Sequence, residues 1–475
     1  MTSRDYFKGK RIAVIGLGAN GEMVEDVSFL VKAGAFVGIY DLKSEARLKN
    51  HLVFLRNEGL ANYVCGSIPE DDLLDMDLII LSHEYPRESG FLKGAKGKNI
   101  PIEYPETLFF KKSPPVTVVG VMGECGKATV VSMLEPMLKA ACRTAEDQGF
   151  FVIDPESDEG IIAHLKKVKS GDLILMRVIE PMMRELFALR ISPQVAIFTT
   201  IPAKGSYDQS PFEILTFQTY NNFIIASDEV IDATRRYKEL PRGKMLRTKP
   251  TIIPVDWELK NMSNIGARRH DRDNAALALQ AAHLFKVDEE TTRRILQNWK
   301  PLHGRLELVK KVKNVEFYND AASMNCSSTQ AALQSITKGG AKEAEAETGD
   351  SVADAAGEIA GEASVNASLS PNNVLIFGGA QTLSDYRALY SLLPQYVHTL
   401  VLLPGSGTLR ERQALGRLEK IEIRSARSIE EATQLAFEHA KKGDKVLFSP
   451  GFEAAGLDSS RKERSERFVR AVRAL

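Results

Sequence analysis

Arg11-Ile12-Ala13-Val14-Ile15-Gly16-Leu17-Gly18-Ala19-Asn20-Gly21 is the stretch whose reading decides the fold. Ile12 to Ile15 form an unbroken apolar run, as in a strand buried on both faces. The Gly16-x-Gly18-x-x-Gly21 spacing ends that run in a tight turn, and an amphipathic stretch at 22–33 follows. Strand, glycine turn and helix therefore stand in the order of a dinucleotide-type loop. Such a loop offers free backbone N–H groups, and the positive end of a helix dipole, to a phosphate. Asp41, at the end of a second apolar run (36–40), takes the place of the acidic residue that such loops turn toward a ribose. The plainer alternative is a strand–helix turn that holds no ligand.

A second loop, Gly123-Glu124-Cys125-Gly126-Lys127-Ala128-Thr129, follows the apolar run Val116–Met122. It is shorter than the usual phosphate-loop pattern, yet it keeps the two features that matter physically. Its backbone N–H groups can cradle phosphates, and Lys127 can neutralise the β/γ charge. Ala128 stands where a hydroxyl normally meets Mg²⁺, which leaves Thr129 as the substitute. Here too a plain alternative stands, a surface Lys127 with no ligand. Two such loops in series imply two phosphate-bearing ligands. A triphosphate-type loop in the second unit, in place of a dehydrogenase substrate domain, favours a nucleoside diphosphate over NAD at the first loop.

The same alternation continues outward. Strands are predicted at 11–15, 36–40 and 78–82, with helices at 22–33 and 44–58 between them. Lys111-Lys112-Ser113-Pro114-Pro115 reads as a linker, because the Pro pair fits neither a central strand nor a helix interior. A second α/β unit then has strands at 116–122, 172–178, 194–200 and 222–226, and an Ala/Leu-rich helix at Asp273–Leu284. After Trp299-Lys300-Pro301 a third unit shows strands at 314–318, 373–377, 398–403 and 445–448. Its helices are predicted at 327–336, 384–392 and from Ser460 to the end. Residues 338–370, rich in Ala, Glu, Gly and Ser, read as a disordered or loosely helical surface insertion.

Bulk properties exclude several classes. A length of 475 residues suits roughly three domains. Lys+Arg and Asp+Glu both number 62, so the basic excess of a nucleic-acid or acidic-membrane binder is missing. The 4 cysteines (Cys65, Cys125, Cys142, Cys326) have no C-x-x-C spacing, which argues for a reducing, cytoplasmic compartment and against a disulfide framework. No run reaches the roughly 18 apolar residues of a membrane span.

In sum the motifs resemble the Mur ligase family over essentially the whole chain. Ile15–Gly21 with Tyr40-Asp41 resembles the family's UDP-binding domain, and Ile102–Phe109 followed by Val116–Thr129 resembles the passage into its ATP-binding domain. Arg268-Arg269-His270-Asp271-Arg272-Asp273-Asn274 is similar to the family's helix whose Asn contacts adenine. His303–Glu307 resembles the Arg-bearing entry to a third domain, and Asn319-Asp320 through Asn325 matches its Asp-Ser-Lys-Ala-Thr-Asn run. Phe377-Gly378-Gly379, Leu447–Pro450 and Glu463–Phe468 match further C-terminal motifs.

The resemblance implies an α/β fold of three domains. These are a Rossmann-like UDP-sugar domain (1–112), a P-loop-type central ATPase domain (113–300) and a Rossmann-like amino-acid-substrate domain (301–475). It implies ATP and Mg²⁺ as cofactors, UDP-N-acetylmuramoyl-L-alanine and D-glutamate as substrates, and a monomer. An acyl phosphate would form on the substrate carboxylate and be attacked by the incoming amine. Gly123, Gly126, Lys127, Thr129 and Asn274 would bind ATP, with Arg305 and Asp320 engaging it from the third domain. Gly16, Gly18, Gly21, Asp41, Asn325 and Ser449 would bind substrate, and Thr129 and Glu180 the metal, joined by Asp208 if a divergent ligase assembles that site from other residues. For three of these positions plain alternatives remain: a surface ion pair for Arg305, a strand-end turn for Asp320, a helix N-cap for Asn274.

The chain also departs from the family pattern. Gly205 replaces the metal-binding His, no lysine stands at Phe217–Asn222, and Ala322, Met324 and Thr382 replace substrate-binding positions. These departures leave two other readings open, a non-catalytic protein that keeps the UDP-sugar and nucleotide sites, and a related ligase that adds another amino acid, which the lost lysine equivalents at Ala322 and Thr382 would allow.

Overall fold

The computed structural model describes residues 3–18, 21–144, 148–155, 157, 159–200, 212–234, 242–254, 257, 269–347, 371–380, 385–452, 454 and 461–475. The expectations at Ala19, Asn20, 201–208 (with Gly205 and Asp208), Arg268, 348–370 and Thr382 lie outside the described residues. The chain forms two compact units: Met1–Glu258 with Asp273–Leu296, and Leu259–Arg272 with Gln297–Leu475.

The first unit contains two wholly parallel sheets. In one, β1 (Arg11–Ile15), β2 (Phe36–Asp41), β3 (Asn62–Cys65), β4 (Leu78–Leu81) and β5 (Ile102–Glu103) lie in the order β3-β2-β1-β4-β5. In the other, β6 (Thr117–Met122), β7 (Phe150–Ile153), β8 (Leu173–Arg177), β9 (Val195–Phe198), β10 (Phe223–Ser227) and β11 (Lys244–Thr248) lie in the order β11-β10-β9-β6-β8-β7. Alternation along β1 feeds both faces: Ile12 and Val14 join one buried cluster, Ala13 and Ile15 another. The first of these clusters continues through Leu108 and Phe109 into the face of the second sheet at Val118, Met122 and Ile174.

A buried carboxylate supports that junction. Asp26 Oδ2 accepts the Ile161 N–H at 3.1 Å and Oδ1 the Ala163 N–H at 2.8 Å. Burial pushes its pKa up to about 7, against the pull of those hydrogen bonds.

The second unit has β12 (Glu307–Val312), β13 (Val315–Asn319), β14 (Asn373–Phe377), β15 (Val397–Leu402), β16 (Glu422–Ser425) and β17 (Lys445–Phe448), in the order β12-β13-β17-β14-β15-β16. All pairings are parallel except the β12/β13 hairpin, whose two-residue turn places Lys313 and Asn314 at φ 47° and 69°. Both faces of this sheet are covered, Leu375 and Phe377 packing on one side and Val374 and Ile376 on the other.

The α/β class read from the sequence is the one observed, with three sheets. Two local expectations are corrected. Lys111 and Lys112 end the helix Pro105–Lys112 instead of lying in a linker, and Ser113, restricted by the following proline, turns extended. The helix predicted at 327–336 runs from Cys326 to Glu347, into the Ala/Glu-rich segment. Among the described residues no helix is long and apolar enough to cross a membrane.

Candidate functional site

Both glycine loops leave a central strand where the strand order reverses, the crevice in which open α/β sheets bind ligands. Gly123–Gly126 connect β6 to the helix Lys127–Thr144. Gly126 has φ +87°, and a Cβ there would lie 2.6 Å from Asn274 Oδ1. A bare Cα is what lets the Asn274 carboxamide reach the loop. Asn274 is buried inside the helix Arg269–Leu284, so the N-cap alternative is corrected. Lys127 Nζ lies over the turn and donates to Gly123 O (2.6 Å) and Glu124 O (3.0 Å). Thr129 is buried in the first turn of the same helix. The structure thus brings Gly123, Gly126, Lys127, Thr129 and Asn274 together. It adds two contacts that the sequence did not show: Thr199 and Thr200, which follow β9, hydrogen-bond the loop, Thr200 at the start of the stretch Thr200–Tyr207 where the family's metal-binding loop is expected.

The first loop is braced by charge. The Gly16 N–H bonds Tyr40 O at 2.8 Å. Asp41, fully buried, accepts the Leu17 N–H (3.0 Å), the Lys43 N–H (2.8 Å) and the Tyr85 hydroxyl (3.3 Å). Its carboxylate is therefore committed to holding the turn, which changes its expected part from a ribose contact to a brace. Gly16 has φ +80°, and a Cβ there would meet Ser82 Oγ and the Tyr85 ring at 2.5 Å, so the end of β4 packs directly on the loop. Lys43 Nζ bridges the ends of β2 and β4, donating to Gly18 O (3.2 Å) and Glu84 Oε2 (2.6 Å).

Beside this crevice lie buried polar atoms with no hydrogen-bond partner among the described residues: Ser82 Oγ, His83 Nδ1 and Glu106 Oε1. His83 Nε2 and Glu106 Oε2 form an ion pair at 3.2 Å, and the His83 ring stacks on Tyr104 with centroids 5.2 Å apart. Burial is the largest influence and pulls the His83 pKa down, but the charge and hydrogen bond of Glu106, with the charges of Glu185 and Glu22, together outweigh it and leave the imidazole above its ordinary value. His83 lies in no motif, and Glu106, though inside the Ile102–Phe109 match, had no role assigned from the sequence.

Glu180 opens the helix Glu180–Ala188, just past β8. The last residue of β8, Arg177, pairs in register with Val121 and is buried against Asp154, Nε to Oδ1 2.7 Å. Mg²⁺ requires a near-octahedral shell of oxygens. Among the described residues no group of three or more His, Cys, Asp or Glu could hold a metal ion. Mg²⁺ commonly keeps several waters and takes oxygens from the phosphates it serves, so of the described residues Thr129 and Glu180 are the ones that would hold it, beside a glycine loop and Lys127 that fit a triphosphate.

In the second unit Asp320 follows β13, and its carboxylate accepts from the Leu306 N–H (3.1 Å), Ser323 Oγ (2.5 Å) and Ser449 Oγ (2.8 Å). Burial pushes its pKa up to about 6, against the pull of the Ser323 and Ser449 hydroxyls and of the Arg305 charge. Arg305, Asp320 and Ser449 are therefore brought together. Asn325, by contrast, caps the helix Cys326–Glu347, its Oδ1 accepting the Ser328 N–H at 2.9 Å.

A UDP-N-acetylmuramoylalanine–D-glutamate ligase of Clostridioides difficile (strain 630) is 24% identical over 483 residues, 97% of this chain and 98% of that protein. The ligase of the same name from Geotalea daltonii is 26% identical over 497 residues, 98% of each. Over nearly its whole length the chain is similar to Mur ligases. A murein peptide ligase from Psychrobacter arcticus 273-4 shares the fold, with a TM-score of 0.58 at 14% identity over 98% of this chain and 99% of that one. No protein-family model matches the chain. Within the Mur ligase fold, the two glycine loops belong to the first and second sheets and the Asp320 cluster to the third.

Proposed function

We propose that this chain is an ATP-dependent ligase of peptidoglycan-precursor synthesis that joins D-glutamate to UDP-N-acetylmuramoyl-L-alanine. In this reading residues 1–112 hold the UDP-sugar, 113–300 hold ATP and 301–475 hold the amino acid. Likeness to D-glutamate ligases over nearly the full length of both chains supports the choice of substrates. The observation that carries the ATP part is the second loop, where a lysine and a buried carboxamide converge on a glycine turn at a helix N-terminus. There Lys127 would neutralise the terminal phosphates, and Asn274 would fix the loop from the neighbouring helix. Protein groups in such a reaction mainly align the carboxylate, the phosphoryl group and the amine and offset the charge that develops.

One observation favours a second reading. The chain has Ala128 where a hydroxyl normally meets Mg²⁺ and no lysine at Phe217–Asn222, as expected of a non-catalytic relative that binds UDP-sugar and nucleotide as a scaffold. A single titration separates the two. Phosphate release is followed as ATP·Mg²⁺, UDP-N-acetylmuramoyl-L-alanine and D-glutamate are added in turn. Release that needs all three supports the ligase, while UDP-sugar binding without release supports the scaffold.

A further inference from the structure

The second glycine loop holds an acceptor supplied by its own chain. The backbone N–H groups of Glu124 and Cys125 converge on one atom, Thr200 Oγ1, at 2.9 and 3.2 Å. Thr199 seats its hydroxyl against the same turn, donating to Met122 O at 3.1 Å and lying against Cys125 O. The two segments are in backbone contact, since a Cβ on Gly123 would lie 2.9 Å from Thr200 N. Both threonines follow β9, the neighbour of β6, and so face the loop across the crevice. An oxygen accepting two consecutive loop N–H groups does what a phosphate oxygen does in such a nest.

We propose that the Thr200 hydroxyl is an internal stand-in for a phosphate oxygen, so that a nucleoside triphosphate binds the second loop by displacing it. The inference rests on the reading of that loop as an ATP site. A charged acceptor makes stronger hydrogen bonds to the same two N–H groups than a neutral hydroxyl, so the exchange runs toward the nucleotide. Until then Thr200 keeps both donors paired, which preserves the shape of the turn. Displacement frees Thr200 from the loop, so that the end of β9 reports what occupies the end of β6. Thr200 is a positioning residue whose occupancy competes with the ligand.

The test compares the full chain with Thr200→Val, which keeps the shape and removes the acceptor, and with Thr200→Ser, which restores it. Calorimetry gives the ATP dissociation constant, and amide hydrogen exchange reads the loop. Thr200→Val is expected to bind ATP about fivefold more tightly than the parent and, without ATP, to exchange its Glu124 and Cys125 amides faster. Thr200→Ser should behave as the parent does. Thr200→Ala is the second variant should Val disturb the strand end. Unchanged or weaker ATP binding in Thr200→Val and Thr200→Ala, with UDP-sugar binding retained, overturns the inference and leaves the ligase reading standing. If neither the parent nor any variant binds ATP, the nucleotide reading of the loop falls, and this inference with it.

Discussion

The two glycine loops have the same plan and opposite electrostatics. Each leaves the middle strand of a parallel sheet, and each is pressed by side chains from the strand across the crevice, Ser82 after β4 and Thr199 and Thr200 after β9. Around the first loop the chain has gathered charge: Asp41 grips the Leu17 N–H, the Glu22 carboxylate lies against Gly18, and Lys43 spans to Glu84. Around the second, the hydroxyls of Thr199 and Thr200 hydrogen-bond the loop, the Asn274 carboxamide lies against Gly126, and Lys127 lies over the turn. Glycine spacing fixes the turn. What the adjoining strands bring decides whether the N–H groups of that turn remain open to an anion. A buried carboxylate brace is permanent, while a hydroxyl yields to a stronger acceptor.

The largest effect expected from this contrast is a pH dependence in the helix that leaves the first loop. Asp26 holds its proton more tightly in the folded state, where burial takes it to about 7 from the ordinary 3.8. Between those two values the folded chain binds more protons than the unfolded one, so stability falls as pH rises. Relative to Asp26→Asn, wild-type stability should drop by up to about 4 kcal/mol from pH 4 to pH 7, measured by denaturant unfolding at each pH. Parallel pH profiles for the two proteins would remove Asp26 from the account.

Next come the glycines themselves. An added Cβ at Gly16 meets the packed Tyr85 ring and Ser82, whereas at Gly126 it meets the tip of the Asn274 side chain, which can swing away. Gly16→Ala is therefore expected to cost about 3 kcal/mol and Gly126→Ala about 1–2 kcal/mol, most of the latter from positive φ. Equal costs would mean that both loops are held with equal rigidity. Smaller again is Asp41→Asn, which sets an amide N–H₂ against donors and should cost about 2 kcal/mol. A neutral outcome in thermal unfolding would show that the brace is dispensable.

How much of this was legible follows the same physics. Central strands such as Leu78–Leu81 and Thr117–Met122 are covered on both faces and read as apolar runs. The strands left unread, β3 and β5, β7 and β11, β12 and β16, are the two edges of each sheet. Edge strands such as Asn62–Cys65 and Glu422–Ser425 are short and half polar, with no run to recognise. The glycine loops, Lys127, Asp320 and Ser449 were visible because motifs mark them. The Asp320–Ser449 hydrogen bond, the hold of Thr200 on the second loop and the His83–Glu106 pair were not, because such contacts arise only when distant strands end side by side. Asp41 was visible from spacing, but its hold on the turn was not: that follows from its burial and from the Leu17 and Lys43 N–H groups it accepts.

The division of labour between the loops is tested most directly by Lys127→Ala, titrated separately with ATP and with UDP-N-acetylmuramoyl-L-alanine. The account predicts at least about tenfold weaker ATP binding, the loss of one charge-assisted contact, and an unchanged affinity for the UDP-sugar. Loss of both ligands together, or of neither, would contradict it.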